Sequence, residues 1–345
     1  MRYIGSKTLL IPEIETVINR QVKKADVFCD IFSGTAVVSR HFKKCYEVIS
    51  NDFLYFSYCL GRGTVENDET QIYKKLSESL GIKDPLQYFS NIKNKEIETQ
   101  PKEKRFFQNN YAPTGGRMYL TDENALRFDF TRNTIEEWRN GGLLNDDEYF
   151  YLVACAVEGI PFVSNIKGTY GAFSKSWDKR SFKVYEPYRL AVETNGKNNR
   201  CFNEDGVGLL NRIEGDILYI DPPYNSRQYL PNYHVLETAA LYDFPSLHGV
   251  TGLRNYDEQK SDFCSKSKVE AAFTQLIENA KFQHIIFSYN TDGLMVAQRI
   301  EEIMKSYGIS HTFELTRIPY RRYKSRHETN LDGLCELIFY IEKKV

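Results

Sequence analysis

The sequence predicts an α/β fold: a doubly wound, mostly parallel sheet that carries a mainly helical insertion. Strand-like and helix-like segments alternate over residues 1–61 and again over residues 196–345, which is the pattern of a parallel sheet with crossover helices. Between them, residues 62–195 contain charged helical stretches and Gly- and Asn-containing loops but few strand-like runs. The final two strand-like segments are joined without an obvious helix, which predicts that the last strand is antiparallel.

The first segment, residues 1–61, begins with apolar residues spaced near 3.6 over Thr8 to Val22, which predicts a helix. A strand in "DVFCDIF", a turn and helix in "SGTAVVSRHFKK" and a second strand in "YEVISND" then form a βαβ unit. In the third segment we expect strands in "GDILYID", "HIIFSYN", "ISHTFELT" and "LCELIFYIE", with helices in "YHVLETAALYD", "KVEAAFTQLIENAK" and "LMVAQRIEEIMKSYG".

Composition excludes several classes of protein. With 345 residues, 41% hydrophobic and 26% charged, the chain can bury a core and is neither disordered nor fibrous. It has no apolar run of membrane-spanning length and no signal-peptide pattern at its start. The seven cysteines are scattered without metal-ligand spacing, so we expect reduced thiols, a cytoplasmic location and no metal site. A net charge of −1 means that nucleic-acid binding must depend on local basic patches.

A nucleotide site is indicated in the first segment. Gly34 lies between a strand and a helix, where a doubly wound sheet brings backbone N–H groups close to a ligand. Asp52 follows 18 residues later, at the end of the second strand, a position suited to ribose hydroxyls. The alternative is a plain turn and a helix cap. The dinucleotide fingerprint G-x-G-x-x-G is missing, which favours a nucleoside cofactor without a pyrophosphate.

The tetrad Asp221-Pro222-Pro223-Tyr224 ends a strand-like run with a carboxylate, two residues without N–H groups and an aromatic ring. Because the prolines end the hydrogen bonding of the strand, the Pro222 carbonyl can accept a hydrogen bond from a ligand. Together with the Asp221 carboxylate it offers two neighbouring acceptors, which suit an exocyclic NH₂ group. The Tyr224 ring offers a face on which a base can stack. Holding both hydrogens would favour the pyramidal nitrogen of a methyl-transfer transition state. The alternative is a structural turn in which Asp221 caps the next segment.

The tetrad resembles the DPPY motif of S-adenosylmethionine-dependent amino methyltransferases, and the order of motifs resembles the N6-adenine DNA methyltransferases of the Dam or D12 class. "RYIGSK" resembles the N-terminal motif of that class and "DIFSGTA" its glycine turn, with departures at Ile31 and Ala36. The resemblance implies a seven-stranded sheet with an antiparallel last strand, a target-recognition role for 62–195, and S-adenosylmethionine as cofactor. The implied cofactor residues are Tyr3, Lys7, Asp30, Phe32, Gly34, Asp52 and Asp205, with Asn203 as an alternative to Asp205.

Basic residues interleaved with tyrosines suggest DNA contacts. The candidates are Arg317, Arg321, Arg322 and Lys324 in "LTRIPYRRYKSRH", Lys175 in "SKSWDKRSFK", and Arg117 in the Gly-rich loop "YAPTGGRMY". Each stretch has a solvated surface loop as its alternative interpretation. His234 follows the tetrad closely, but we expect it to pack at a helix start rather than to act as a base.

The sequence therefore predicts an enzyme that methylates N6 of adenine in a specific sequence of double-stranded DNA, with the target base flipped out of the duplex and stacked on Tyr224. The resemblance implies a bacterial or phage modification enzyme, with a separate restriction endonuclease in the same system. Alternatives are an RNA adenine, cytosine-N4 or protein-glutamine methyltransferase, or a binding module that has lost turnover. A nicotinamide dehydrogenase is a more distant alternative because the glycine fingerprint is missing.

Overall fold

A computed structural model describes residues 7–69, 71–319 and 335–344. It contains one seven-stranded sheet of order β3-β2-β1-β4-β5-β7-β6. The strands are β1 (Val27–Asp30), β2 (Glu47–Asn51), β3 (Arg200–Phe202), β4 (Glu214–Ile220), β5 (Lys281–Asn290), β6 (Glu314–Pro319) and β7 (Cys335–Glu342). Neighbours from β3 to β5 pair in parallel, whereas β7 pairs antiparallel with both β5 and β6. The predicted sheet, with its antiparallel last strand, is confirmed.

Thirteen α-helices lie in the described residues. They are α1 (Ile11–Gln21), α2 (Val37–Phe42), α3 (Tyr55–Gly61), α4 (Lys74–Leu80), α5 (Pro85–Asn91), α6 (Asn94–Ile97), α7 (Phe106–Tyr111), α8 (Asp122–Asn140), α9 (Asp146–Gly159), α10 (Gly206–Leu209), α11 (Leu230–Leu241), α12 (Val269–Asn279) and α13 (Ala297–Tyr307). No helix among the described residues is long and apolar enough to cross a membrane.

The chain divides into two compact units. The sheet unit comprises Lys7–Phe53, Lys197–Tyr229 and the described chain from Gln259 onward; the helical unit comprises Leu54–Gly196 and Leu230–Glu258. Every regular element in the described residues of the helical unit is helical, apart from one bridge between His248 and Leu253. The target-recognition role of 62–195 stays a prediction.

The sheet unit has a core on each face of the sheet, as expected when both faces are covered by helices. On one face, α1 and α2 pack against alternate residues of the strands, among them Phe28, Ile217 and Ile286. On the other face, α12 and α13 pack against the intervening residues, such as Leu218 and Phe287. Because side chains alternate along a strand, each strand contributes to both cores.

The helical unit is built around α8 and α9. Asn145 and Glu148 form a reciprocal capping box at the start of α9, with hydrogen bonds of 2.8 and 2.9 Å. From Glu148 to Gly159 every residue of α9 is buried. A helix surrounded on all sides has no polar stripe, and for that reason its sequence did not predict it.

Arg132 connects α8 to the end of α11 inside the helical unit. Its side chain is fully buried, Nε donates to the Ala239 carbonyl at 2.9 Å, and Nη2 donates to the Ala240 carbonyl at 3.3 Å and to Glu136 at 2.8 Å. The guanidinium also lies 4.8 Å from the centre of the Tyr242 ring. It therefore satisfies helix-terminal carbonyls that would otherwise be buried without donors.

We expect Arg132→Gln to lower the free energy of unfolding by about 3 kcal/mol, because it leaves these carbonyls and Glu136 without their charged donor. Urea denaturation followed by circular dichroism measures the change. The matched control is Arg139→Gln on the same helix, where the arginine is 36% exposed and bonds to Asp146 at 3.1 Å. Because the Arg139 guanidinium also lies 3.8 Å from the centre of the Tyr149 ring, the control should change stability by about 1 kcal/mol or less, and equal effects of the two variants would contradict the assignment.

Candidate active site

The tetrad Asp221-Pro222-Pro223-Tyr224 directly follows β4, which pairs with β1 on one side and β5 on the other. It therefore leaves the sheet at a central position of the carboxyl edge, where open α/β sheets bind ligands. The Asp221 side chain is 16% exposed and Tyr224 is half-buried. Neither of these side chains is enclosed in the interior of the sheet unit.

Lys7 holds the Asp221 carboxylate in place. Its Nζ lies 3.2 Å from Oδ1 of Asp221 and 3.3 Å from Oε2 of Glu336 on β7. Lys7 is 3% exposed and Glu336 is 8% exposed, so the two ion pairs are shielded from solvent. Within the described part of the chain, Oδ2 of Asp221 and the carbonyl oxygen of Pro222 accept no hydrogen bond. These neighbouring oxygens are available as acceptors.

The environment of Asp221 sets its ionisation. Burial raises its pKa to about 6, although the ammonium of Lys7 lowers it and the carboxylate of Glu336 raises it further. For Lys7, burial alone would lower the pKa, but Asp221 and Glu336 raise it. At neutral pH Lys7 is therefore an ammonium, and most of Asp221 is ionised.

The Tyr224 ring packs edge-to-face against the Tyr289 ring, with ring centres 6.4 Å apart and an interplanar angle of 83°. The Leu294 amide donates to the Tyr224 carbonyl at 3.0 Å. Gly293 makes this packing feasible, because a Cβ at that position would lie 2.0 Å from the Tyr289 ring. The segment after β5 thus positions the aromatic face of the tetrad.

Asp30 is the carboxylate at the end of β1 and is 1% exposed. Ser39 on α2 donates to its Oδ2 at 2.7 Å, whereas Oδ1 is buried without a partner in the described residues. Burial raises the pKa of Asp30 to about 7, the Ser39 hydrogen bond lowers it, and the charges of Asp221 and Asp52 raise it. The carboxyl edge therefore gathers acids that repel one another, which favours a cationic ligand.

The turn between β1 and α2 is closed by Asp52. The Gly34 amide donates to Oδ2 of Asp52 at 2.7 Å, and Gly34 has φ of 53°, a left-handed conformation that suits glycine. Ala36 has φ of 55° and is fully buried. At Ala36, where the chain departs from the glycine pattern, the backbone nevertheless adopts the left-handed form, and the turn is kept.

Phe32 and Asp205 flank this turn. The half-buried Phe32 ring packs edge-on against Phe263, with centres 5.2 Å apart, and a Cβ on Gly206 would lie 3.4 Å from it. Asp205 is exposed and caps α10, because its Oδ2 accepts from the Gly208 amide at 2.9 Å. Its alternative, Asn203, donates to the Asp52 carbonyl at 2.8 Å. Both residues are exposed, and their hydrogen bonds differ: the Asp205 carboxylate caps α10, whereas the Asn203 amide bonds to the residue that closes the turn.

The predicted DNA-contacting residues lie in three places. Arg317 is exposed on β6, an edge strand, and Lys175 is exposed in a loop of the helical unit. Arg117 is half-buried, and its guanidinium donates to the carbonyls of Val250, Gly249 and Asn110 at 3.1, 3.0 and 2.8 Å. The remaining predicted contacts (Arg321, Arg322 and Lys324), together with the predicted cofactor contact Tyr3, lie outside the described residues.

His234 is fully buried in α11, where Nε2 lies 2.9 Å from the Tyr170 carbonyl. Burial lowers its pKa to about 4, so it is neutral at physiological pH. Among the residues described here, no group of three or more His, Cys, Asp or Glu side chains is arranged to hold a metal ion.

Glu336 was not among the residues that the sequence singled out. The signal was present: Glu336 is an acid near the start of the strand "CELIFYIE", and the five residues that follow it are hydrophobic. A charge placed in a buried strand requires a partner, and here that partner, Lys7, lies more than 300 residues away in the chain.

Comparison with known proteins agrees with this geometry. The family profile described as D12 class N6 adenine-specific DNA methyltransferase matches residues 3–303. The Type II methyltransferase M.FokI of Planomicrobium okeanokoites is 48% identical over 100% of this chain and 53% of its own length, and the modification methylase StsI of Streptococcus sanguinis is 41% identical over 100% and 52%. The Type II methyltransferase M.NlaIII of Neisseria lactamica is 37% identical over 96% of this chain and 94% of its own length.

The chain spans about half the length of the first two relatives and nearly all of the third. The profile match runs from the start of the first segment through the region between the segments to residue 303 of the third, so it includes the tetrad and the glycine turn. On this evidence the chain belongs to the D12 class of N6 adenine-specific DNA methyltransferases.

Proposed function

We propose that this chain transfers a methyl group from S-adenosylmethionine to N6 of adenine in double-stranded DNA, as the modification enzyme of a type II restriction–modification system. The observation that carries the proposal is the Asp221 carboxylate, fixed by Lys7 at 3.2 Å beside the Pro222 carbonyl and the Tyr224 ring. The names of the relatives supply the restriction–modification context.

The residues around the glycine turn fit S-adenosylmethionine. Asp52 closes the glycine turn and would hold the ribose diol, and the Phe32 ring, two residues before Gly34, would offer an aromatic surface. The unpartnered Oδ1 of Asp30 and the mutual repulsion of the edge carboxylates favour a ligand that carries positive charge. When bound, S-adenosylmethionine supplies an electrophilic methyl group on a sulfonium. Asp205 would receive the amino group of its adenine.

The part of the tetrad is to prepare the acceptor nitrogen. An adenine amino group has two N–H donors, and its lone pair is delocalised into the ring. Asp221 and the Pro222 carbonyl accept one hydrogen each, which favours the pyramidal nitrogen whose lone pair forms the new N–C bond. As that bond forms, one N–H proton becomes acidic, and the Asp221 carboxylate is positioned to take it. Tyr224 supplies the stacking face for the extruded base.

The proposal is tested by offering the protein tritiated S-adenosylmethionine with duplex DNA of random sequence and, separately, with structured RNA. Chromatography of the hydrolysed product distinguishes N6-methyladenine from N4-methylcytosine. We expect N6-methyladenine in the DNA alone. Label in the RNA, in cytosine or in neither acceptor would overturn the assignment.

Asp221→Asn should reduce methyl transfer by at least about a thousandfold, because it replaces one acceptor oxygen with a donor at the reacting amine. Binding of S-adenosylhomocysteine, measured by calorimetry, should change less than about threefold. Asp221→Ala should give the same pattern. Activity within tenfold of wild type in both variants would remove Asp221 from the mechanism.

Asp52→Asn should raise the KM for S-adenosylmethionine about tenfold with a smaller change in kcat, because a neutral amide is a weaker acceptor for ribose hydroxyls. The asparagine keeps an oxygen for the Gly34 amide, so the turn should survive. Steady-state kinetics at saturating DNA measures the change. An unaltered KM would mean that the ribose lies elsewhere.

Asp30→Asn should make the protein more stable at pH 8 and bind the cofactor less tightly. The folded-state pKa is raised from 3.8 to about 7, so wild-type stability falls as the pH rises through that window and is not recovered above it. Removing the charge should increase stability at pH 8 by about 1–3 kcal/mol and by less at pH 5.

The paired readout for Asp30 is ligand affinity. Wild-type affinity for S-adenosylmethionine should rise between pH 5.5 and pH 8 as the edge carboxylates ionise, and S-adenosylhomocysteine, which lacks the sulfonium charge, should show a weaker trend. In Asp30→Asn, the affinity for S-adenosylmethionine should rise less over the same pH range. Identical pH dependence for the two ligands in wild type would contradict the electrostatic account.

A further inference from the structure

Glu336 lies on β7, where its neighbours Asn290 on β5 and Ile318 on β6 pair with it. Its Oε2 is 3.3 Å from Nζ of Lys7, whose other contact is Asp221 at 3.2 Å. The ammonium thus bridges two carboxylates that come from distant parts of the chain. Through Lys7, the last strand in sequence, β7, is connected to the tetrad.

Stability does not account for this arrangement. Removing an ion pair from water costs several kcal/mol per ion, and the attraction often does no more than offset that cost. Here a second carboxylate joins the pair, so the site keeps a net negative charge in a shielded place. Buried charges that break the local packing rule are concentrated at functional sites.

We propose that Glu336 is a positioning residue for methyl transfer, which shares the Lys7 ammonium with Asp221 and so prevents an exclusive Lys7–Asp221 ion pair. The inference rests on the proposed function, because it assigns Asp221 the role of acceptor for the target amine. An exclusive pair would draw the Asp221 carboxylate toward Lys7 and weaken it as an acceptor. Sharing makes the Asp221 carboxylate a stronger acceptor and leaves its Oδ2 for the amine.

The charges that face Asp221 have opposite effects on it. Lys7 lowers its pKa and Glu336 raises it. Asp30 and Tyr219, on neighbouring strand ends, also interact with its charge, and they are left unchanged in the test below. The two partners can therefore be removed one at a time with effects of opposite sign.

The test uses Glu336→Gln and Lys7→Met in the full chain. Glu336→Gln should lower kcat about 10- to 100-fold. It should also move the acid limb, the fall in kcat at low pH as Asp221 becomes protonated, to lower pH, because a negative neighbour of Asp221 is lost. Lys7→Met should move that limb to higher pH, because a positive neighbour is lost. Glu336→Asp, which retains the charge, should recover part of kcat.

A second readout does not need turnover. In protein labelled with ¹³C at the aspartate side-chain carboxyl carbon, the Asp221 resonance is assigned by its loss in Asp221→Asn. Its titration should move to lower pH in Glu336→Gln and to higher pH in Lys7→Met. If the two variants shift the Asp221 titration in the same direction, or if neither shifts it, the inference is overturned whether or not the protein methylates DNA.

The matched control is Glu342→Gln, on the same strand, where the carboxylate accepts from Gln283 at 2.9 Å. It should leave kcat, the acid limb and the Asp221 titration unchanged. Thermal unfolding of every variant identifies loss of fold. If Glu336→Gln lowers the unfolding temperature but shifts neither profile, its role is structural and the inference fails. Absence of methyl transfer by wild type, with opposite titration shifts intact, would count against the proposed function alone.

Discussion

The buried ammonium of Lys7 makes the acidic edge of the sheet possible. Asp221 and Glu336 both lie within 3.3 Å of it, and the charge of Asp30 also reaches Asp221. One cation among these acids leaves an excess of negative charge, which burial makes costly. A cationic ligand at this edge would reduce that excess. The protein therefore holds, before any ligand binds, the negative charge that a cationic ligand would neutralise, and in this sense the site is preorganised.

Strand periodicity explains why these groups meet. Side chains two residues apart share a face, so Ile217 and Tyr219 of β4 and Asp221 directly after it form one column, and Ile286, Ser288 and Asn290 of β5 form the next. Both columns change from apolar to polar toward the carboxyl end. On β7, which runs in the opposite direction, Ile338 and Glu336 follow the same gradient. One face of the sheet therefore changes from apolar core residues to the polar residues of the site. The antiparallel strand β7 places Glu336 beside Lys7 and the tetrad.

The sequence was most informative where its periodicity was simple. Alternation, the glycine turn and the tetrad led to the seven-stranded sheet and the family, and both are confirmed. The sequence did not predict β3, a three-residue strand whose neighbour Asn199 supplies a side-chain acceptor to Val48 on β2 at 3.0 Å. Such pairing is specified by tertiary contacts rather than by local pattern. Glu336 was missed for a related reason: its partner, Lys7, is distant in sequence, and no local pattern connects them.

Residue type alone could not assign the DNA contacts. Arginine is favoured for reading bases and phosphates because it offers several fixed donors, but the same donors suit backbone carbonyls. Arg117 uses three of its nitrogens on Asn110, Gly249 and Val250, and its guanidinium would lie 2.7 Å from a Cβ on Gly252. This packing commits Arg117 to holding a turn whose tip, Val250, is 80% exposed. Replacing Arg117 would therefore disturb the turn whether or not it contacts DNA, so Lys175 and Arg317, which are exposed, are the more informative positions for measuring phosphate contacts through the salt dependence of binding.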